Sequence, residues 1–190
     1  MAASETTTQR SDLRTLLEGP RLLLRFLKDS DVTDEYISWL NDREVTRYMS
    51  GSGHVRATRE TLRAYLRRFQ GSRTDFIFAI VERATGRHIG NVTLNRIHPV
   101  HGTADTGLMI GRKEAWGKGY AFEAWSLLMR FAFGERGVRK LTAGVAAENL
   151  ASSRTFQKLG FRLEGILRQD IRVEDTYQDV LLFGLLRDEY

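Results

Sequence analysis

The sequence contains no cysteine and no long hydrophobic run. Without cysteine the chain has no disulfide bond, no thiolate metal ligand and no cysteine nucleophile, so catalysis must use other groups. Apolar stretches such as residues 22–24 and 180–183 are far shorter than the roughly 18 to 20 residues that a membrane helix needs. The polar, Thr-rich N-terminus also lacks the apolar core of a secretory signal peptide. These absences predict a soluble, cytoplasmic protein with no membrane partner.

Histidine is also scarce, with residues only at positions 54, 88, 98 and 101. These positions do not have the spacing of metal ligands, so we expect no metal site. His98 and His101 fall in a predicted loop, where they either contact a substrate or are incidental.

The length and charge of the chain set further limits. A chain of 190 residues that is 42% hydrophobic is suited to one domain with a substantial core. The formal charge is +5, and the basic residues are spread along the chain among acidic ones, as on a solvated surface. The same charge suits a phosphate-rich ligand. We do not expect nucleic acid to be the partner.

The apolar pattern divides the chain into a tail and one domain. Residues 1–19 lack sustained periodicity and predict a flexible N-terminal tail, and the folded domain is expected over residues 20–190. Helices are predicted to start near residues 32, 58, 120 and 150. Strands are predicted over residues 22–27, 76–81, 88–97, 104–111, 140–146, 161–168 and 179–186. This order predicts an α/β or α+β domain whose mixed sheet carries helices on both faces.

The segment between residues 110 and 121 reads IGRKEAWGKGYA and leads from a predicted strand into a helix. Its glycines allow close approach of the backbone, and the free N–H groups at the start of a helix attract a phosphate or pyrophosphate. The segment is not a P-loop, because Lys118 is followed by glycine, and it is not a dinucleotide fingerprint, because Phe122 stands where the third glycine belongs. An anion site and a purely structural turn both fit these residues.

Three segments in order, ADTGLMIG from Ala104, WGKGYAFEA from Trp116 and AENLASSRTFQKLGF from Ala147, resemble the GNAT N-acetyltransferase superfamily. GILRQ near Gly165 and the ending DVLLFGLLRDEY resemble the branch of ribosomal-protein-alanine and amino-sugar acetyltransferases. The resemblance implies a single GNAT-like domain. Its central sheet would be mixed and mostly antiparallel, with about seven strands and a splayed parallel strand pair.

The same resemblance implies that acetyl-CoA is the co-substrate and indicates which residues hold it. Backbone groups of Leu108, Met109 and Ile110 would face the pantetheine arm and the thioester. The cofactor pyrophosphate would be held by a run in which Trp116 replaces the usual Gln or Arg. That run is Trp116, Gly117, Lys118, Gly119, Tyr120 and Ala121.

The third segment carries implied catalytic residues. Asn149 would orient the pantetheine arm, and Ser152 would protonate the departing thiolate or bind it through water. Many relatives have a general-acid tyrosine where this chain has Phe156, so Ser153, bound water or departure of an unprotonated thiolate stay open as alternatives. Arg154 and Lys158 are candidates for the cofactor phosphates or are simply solvated.

Asp105 and Glu148 are the candidates for the general base, acting directly or through water. Acceptor contacts are expected from residues 39–49, 54–59 and 170–177. Arg43, Arg47 and Tyr48 in the first of these would suit a phosphorylated acceptor or a carboxylate.

The sequence therefore predicts transfer of an acetyl group from acetyl-CoA to a primary amine of a small molecule or amino sugar. Acetylation of a protein N-terminus is the near alternative, and a non-catalytic acyl-CoA-binding protein or an RNA-binding protein are alternatives from other classes. A monomer and a homodimer both fit the sequence.

Overall fold

The computed structural model describes residues 16–49 and 56–190, which form one mixed sheet with helices on both faces. The strands are β1 (Leu16–Glu18), β2 (Leu22–Phe26), β3 (Phe76–Glu82), β4 (Arg87–Asn95), β5 (Thr103–Ile110), β6 (Lys140–Ala146), β7 (Arg162–Val173) and β8 (Thr176–Leu186). The helices are α1 (Asp34–Asn41), α2 (Arg43–Thr46), α3 (Arg59–Arg67), α4 (Tyr120–Arg130) and α5 (Leu150–Lys158). A π-helical turn, Phe131–Glu135, extends α4.

The sheet order is β1-β2-β3-β4-β5-β6-β8-β7. Neighbouring strands are antiparallel except for β5 and β6, which are parallel. The predicted fold class is therefore confirmed, with eight strands among the described residues where about seven were expected.

The additional strand is β1. Its residues fall within the predicted tail over residues 1–19, and Leu17 is buried while Leu16 and Glu18 are exposed. A run of three residues is too short to show a period, which is why the sequence did not reveal it. The rest of the tail, residues 1–15, lies outside the described residues.

Successive side chains of a strand point to opposite faces, and the two faces of β3 carry different helices. Ile77 packs with Tyr36 of α1 and Leu62 of α3 in one apolar cluster. Phe78 belongs to a second cluster with α4 and α5, in which the Phe156 ring centroid lies 4.4 Å from that of Trp125. We call the α1 and α3 side the front face and the α4 and α5 side the back face.

Side-chain caps fix where the helices begin. Thr33 accepts a hydrogen bond from the Tyr36 N–H at the start of α1. Thr58 accepts one from the Thr61 N–H at the start of α3, as the sequence predicts. No helix within residues 16–49 and 56–190 is long and apolar enough to cross a membrane.

Candidate active site

The parallel strands β5 and β6 pair over only a short stretch. Thr103, Ala104 and Asp105 are opposite Lys140, Leu141 and Thr142, and no pairs follow along the rest of β5. The two strands therefore separate toward the C-terminal end of β5, as the predicted splayed pair requires.

The backbone groups of β5 alternate between the two neighbouring strands. Ala104 O accepts from Thr142 Oγ1 at 3.1 Å and Ile110 O accepts from Trp116 Nε1 at 2.8 Å, so even-numbered residues face away from β4. Leu108, which lines the cavity described below, accordingly directs its N–H and carbonyl into the opening. Ile110 directs only its N–H there, because Trp116 takes its carbonyl. Met109 directs its backbone toward β4, where Asn91 is its partner.

A cavity of about 1040 Å³ passes through this opening. Tyr36 and Leu62 line it from the front face, and Trp125 and Phe156 line it from the back face. Among the predicted site residues, it brings together Asp105, Leu108, Met109, Phe156, Asn149 and Ser152. The cavity thus gives access from both sides of the sheet to the unpaired backbone of β5.

The predicted anion loop lies between β5 and α4. Gly117 and Gly119 have φ values of +72° and +75°, a region that glycine adopts without strain. Among the described residues, no protein acceptor takes the N–H groups of residues 117–122, and residues 117–119 are exposed. These N–H groups stand at the N-terminal end of a helix, where an anion is stabilised.

Trp116 explains how this loop accommodates an aromatic residue at its first position. The indole N–H donates to Ile110 O, so the side chain ties the loop to the end of β5. The Tyr120 side chain points away from the loop and donates to Glu82 Oε1 at 2.6 Å. A ligand bound at the loop can therefore contact Tyr120 and Ala121 through their backbone N–H groups.

Glu123 anchors the first turn of α4 to β2. Its Oε1 accepts from the N–H groups of Arg21 and Leu22 at 2.8 and 2.9 Å, and its Oε2 accepts from the Arg21 guanidinium at 2.8 Å. Burial alone raises the pKa of Glu123, but these hydrogen bonds outweigh it and hold the pKa below its ordinary value. Arg21 also donates to Lys118 O at 2.8 Å, which fixes the loop itself.

The N-terminus of α5 lies at the cavity. Asn149 caps the helix by accepting from the Ser152 N–H at 3.2 Å, which leaves its side-chain amide N–H groups free for a ligand. The Ser152 hydroxyl has no protein partner within the described part of the chain. Phe156 is 2% exposed and stacks among Trp125, Phe161 and Phe183. It is an apolar wall of the cavity and has no proton to give.

The two base candidates lie in different surroundings. Asp105 is partly buried in the cavity wall, where Arg96 Nη2 lies 3.3 Å from its Oδ2. Glu148 is exposed at the end of β6 and does not line the cavity. Arg154 and Lys158 are exposed on α5 and do not line it either.

The predicted acceptor segments lie around the front mouth of the cavity. Leu40, Tyr48, Met49, Ala57, Asp170 and Ile171 line it. Arg47 pairs with Glu174 at 3.4 Å, which joins the end of α2 to the β7–β8 turn. His54 lies outside the described residues. Within residues 16–49 and 56–190, no group of three or more acidic or histidine side chains is arranged to hold a metal ion.

The sequence reasoning missed a row of polar side chains on the front face of β4. Asn91, Thr93 and Asn95 line the cavity opposite Met109, Gly107 and Asp105 of β5. Asn95 Nδ2 donates to Thr93 Oγ1 at 2.9 Å, and Thr93 Oγ1 donates to Gly107 O at 3.3 Å. The signal was present as polar residues at every second position from Asn91 to Asn95, with the apolar Val92 and Leu94 between them.

Comparison with known proteins agrees with this geometry. A family model described as an acetyltransferase (GNAT) domain matches residues 21–162. The uncharacterized N-acetyltransferase p20 of Bacillus licheniformis is 33% identical over 177 residues, which are 90% of this chain and 95% of that protein. Spermidine N(1)-acetyltransferase of Vibrio cholerae is 30% identical over 111 residues, which are 58% of this chain and 64% of that protein.

A solved structure extends the agreement to the fold. The crystal structure of spermidine N-acetyltransferase from Vibrio cholerae in complex with CoA and spermine superposes with a TM-score of 0.83 at 23% identity, covering 90% of this chain and 99% of that chain. The family match spans most of the elements that surround the β5–β6 opening, including the anion loop and α5. From the family model, the relatives and the fold together, we conclude that this chain is an N-acetyltransferase of the GNAT family.

Proposed function

We propose that the protein moves the acetyl group of acetyl-CoA onto a primary amine of a small molecule or amino sugar, by direct attack of the amine on the thioester. The observation that carries this proposal is the cavity that crosses the sheet between β5 and β6. Such a passage allows one substrate to enter from the anion-loop side and the other from the front face. Its volume of about 1040 Å³ is that of a small-molecule site.

The residues present fit acetyl-CoA. The free N–H groups of residues 117–121 would bind the pyrophosphate at the N-terminus of α4. Leu108 and Ile110 would hydrogen-bond the pantetheine arm along the unpaired side of β5, and the free amide of Asn149 would do so from α5. Bound acetyl-CoA supplies a thioester carbonyl that an amine can attack.

The backbone of β5 and the start of α5 would then serve the reaction. An N–H of Leu108 or Ile110 can donate to the carbonyl oxygen as negative charge develops there, and one well-aimed donor is worth about 3 to 4 kcal/mol. The Ser152 hydroxyl lies on the same cavity and would donate its proton to the departing sulfur. Ser153 is a weaker candidate for this role, because it is buried and does not line the cavity.

Asp105 is the base that the geometry favours, because it lines the cavity whereas Glu148 does not. Its carboxylate would accept the amine proton directly or through a water. The demand on the base depends on the acceptor. An α-amine with a pKa near 8 is about one tenth neutral at pH 7, whereas a lysine amine is neutral in under about one part in a thousand.

Three classes of acceptor are compatible with the cavity. A small molecule or amino sugar can enter it whole, and a protein N-terminus can enter as an extended segment. Polyamines are the third class, since a spermidine acetyltransferase is among the relatives. We favour the small amine because α2 and the β7–β8 turn, joined by the Arg47–Glu174 pair, narrow the front mouth.

The direct test is release of free thiol from acetyl-CoA in the presence of a panel of amines. The panel contains amino sugars, nucleotide-linked amino sugars, aminoglycosides, polyamines, amino acids and short peptides with free N-termini. We expect amine-dependent release, fastest with a small amine or amino sugar. Tight acetyl-CoA binding without release across the panel would instead support a binding-only protein.

A further inference from the structure

Tyr36 and Asn91 each bring an unused hydrogen-bond donor to the front part of the cavity. Asn91 is 5% exposed, and its Nδ2 has no partner among the described residues. Tyr36 is 2% exposed, and its hydroxyl likewise has no protein partner within residues 16–49 and 56–190. Both residues line the cavity. A buried donor without an acceptor destabilises a protein, so Asn91 Nδ2 indicates a ligand atom that accepts, and the Tyr36 hydroxyl offers a second donor on the same cavity.

His88 fixes the orientation of the Asn91 amide. Its Nε2 lies 2.8 Å from Gly90 O and 3.0 Å from Asn91 Oδ1. Because a carbonyl oxygen only accepts, Nε2 must carry a hydrogen, and the amide atom that faces it must be the oxygen. Nδ2 therefore turns away from His88 as a donor. Packing holds this arrangement, because the His88 ring contacts the rings of Tyr36 and Trp39 edge-on, with ring centroids 5.5 and 5.1 Å apart.

We call the part of the cavity lined by Tyr36, Asn91 and Met109 the donor pocket, and none of these three side chains is charged. Trp39 and His88 pack against the Tyr36 ring beside it. Burial lowers the pKa of His88 and keeps its ring neutral near pH 7. The ionised groups that influence His88 are Asp31 and Arg25, and they neutralise each other through two hydrogen bonds of 2.7 Å. Met109 supplies apolar surface to this pocket, and Trp39 packs beside it. An ammonium group placed here would lose much of its water and would meet no carboxylate among these residues.

The donor pocket also lies close to the reacting centre. Asn91 is the direct partner of Met109, which lies between the two residues whose backbones face the β5–β6 opening. An acceptor whose amine reaches that opening from the front face therefore passes these donors.

We propose that Tyr36 and Asn91 select acceptors that carry an uncharged oxygen, a hydroxyl or amide carbonyl, close to the reacting amine. They disfavour polyamines, whose additional groups are ammonium ions. His88 is a positioning residue that orients the Asn91 amide. This inference rests on the proposed amine acetylation and narrows its substrate class.

The test compares amines that carry an uncharged oxygen close to the reacting amine with amines that lack one. Transfer rates are measured at saturating acetyl-CoA for glucosamine and glycinamide, and for cyclohexylamine and spermidine, and are expressed per concentration of neutral amine. We expect wild type to prefer the oxygen-bearing pair by about tenfold or more, the combined effect of two neutral hydrogen bonds. Preference for spermidine would overturn the inference while leaving the proposed function intact.

Substitutions at Tyr36 and Asn91 distinguish the loss of a hydrogen-bond donor from a general loss of activity. Tyr36→Phe removes only the hydroxyl and should reduce the preference about threefold to tenfold, because the rates with the oxygen-bearing amines fall more than the rate with cyclohexylamine. Asn91→Asp replaces the donor with an acceptor, retains the contact with His88 and should shift the preference toward spermidine. Tyr190→Phe, at an exposed tyrosine outside the cavity, is the matched control and should change nothing.

A direct binding measurement makes the test independent of turnover. The affinity for N-acetylglucosamine, measured by calorimetry, should fall by a similar factor in Tyr36→Phe and stay unchanged in Tyr190→Phe. Equal loss of rate with all four amines in Tyr36→Phe would contradict the inference, because the hydroxyl would then act on the acetyl donor. Absence of thiol release with every amine overturns the proposed function together with this inference.

Discussion

Asn149 and Ser152 both stand at the start of α5, but their side chains have different structural duties. The Asn149 side chain caps the helix, whereas the Ser152 hydroxyl has no protein partner in the described part of the chain. Ser152→Ala should therefore lower kcat roughly tenfold or more while leaving the free energy of unfolding nearly unchanged. Asn149→Ala should lower kcat and also cost about 1 kcal/mol of stability, the usual cost of losing a cap.

Steady-state kinetics and urea unfolding of both variants check this prediction. Wild-type turnover in two folded variants would remove both residues from the mechanism. Loss of stability in Ser152→Ala comparable to that in Asn149→Ala would show that the hydroxyl is structural.

His88 makes stability depend on pH. Burial lowers its pKa in the folded protein below the ordinary value of about 6.5, so the unfolded chain takes up a proton first as the pH falls. The free energy of unfolding should therefore decrease as the pH is lowered below about 6.5 and level off below the folded pKa. His88→Gln, which stays neutral, should lack this decrease.

Urea unfolding of wild type and His88→Gln at intervals between pH 7.5 and 5 measures this difference. Carboxylates titrate below this range, near about pH 4, so they contribute little within it. The lowered pKa values of Asp31 and Glu123 place their effects lower still. Identical pH profiles for the two proteins would show that His88 is not the titrating group.

The sequence indicated one side of the candidate active site much better than the other. Asn149 and Ser152 stand in a short motif, so their position beside the opening could be anticipated. Tyr36 reads as an ordinary core residue of an amphipathic helix, and its ring is indeed buried. Only the three-dimensional arrangement shows that its hydroxyl and the Asn91 amide reach the same cavity, since they come from elements more than fifty residues apart.

The loop before α4 depends on backbone groups, and a bulky side chain there should obstruct them. Gly119→Trp should weaken acetyl-CoA binding by a large factor, about tenfold or more, because the indole covers free N–H groups at the helix N-terminus. Gly86→Trp is the matched control. Gly86 has a similar φ of +68° and open surroundings, so it adds the same backbone strain in the turn after β3.

Calorimetric titration with acetyl-CoA distinguishes the two variants. Undiminished affinity in Gly119→Trp would exclude the loop as the pyrophosphate site. Equal weakening in both variants would point to strain in the fold in place of a blocked site.

Glu123 holds α4 on β2 mainly through backbone contacts. Glu123→Ala leaves the buried Leu22 N–H and the neighbouring Arg21 N–H without an acceptor and should cost about 2 to 4 kcal/mol of unfolding free energy. Glu123→Gln retains an oxygen for these N–H groups and loses only the ion pair with Arg21, whose side chain is 49% exposed. Its cost should be clearly smaller, because a solvated partner contributes little.

Unfolding curves in urea for the two variants give the comparison. Equal destabilisation by Ala and Gln would assign the effect to the charge and not to the backbone hydrogen bonds.

Most elements were predictable because their periodicity is strong. The stripe of α3 and the continuous apolar run of β3 appear at the predicted places. Element boundaries could not be predicted where the periodic stretch is short or where pairing with another strand sets the end of the element. β7 runs to Val173, five residues beyond the predicted end, because pairing with β8 continues across a register shift between Leu167 and Ile171.

At the scale of the whole molecule, the sheet consists of two parts that meet at the short β5–β6 pairing. A ligand that bonds to both sides of the opening should therefore stabilise the folded state. Acetyl-CoA at about 100 times its Kd contributes about 2.7 kcal/mol, which corresponds to a rise in Tm of roughly 5 to 10 °C for a chain of this size.

Thermal unfolding with and without acetyl-CoA measures this rise, and Gly119→Trp should show little of it. An unchanged wild-type Tm at a concentration where calorimetry shows saturation would mean that the ligand binds the unfolded chain equally well.

The position of the β5–β6 opening also bears on self-association. Unpaired strand edges at the margin of a sheet invite pairing with other chains and aggregation. Here the gap lies in the interior of the sheet, where β4 covers the outer side of β5 and β8 covers the outer side of β6. A foreign strand has no open flank to approach, because its side chains would have to thread between two strands that are already joined at one end. The protein thus keeps free main-chain groups for a slender ligand without offering them as a template for aggregation.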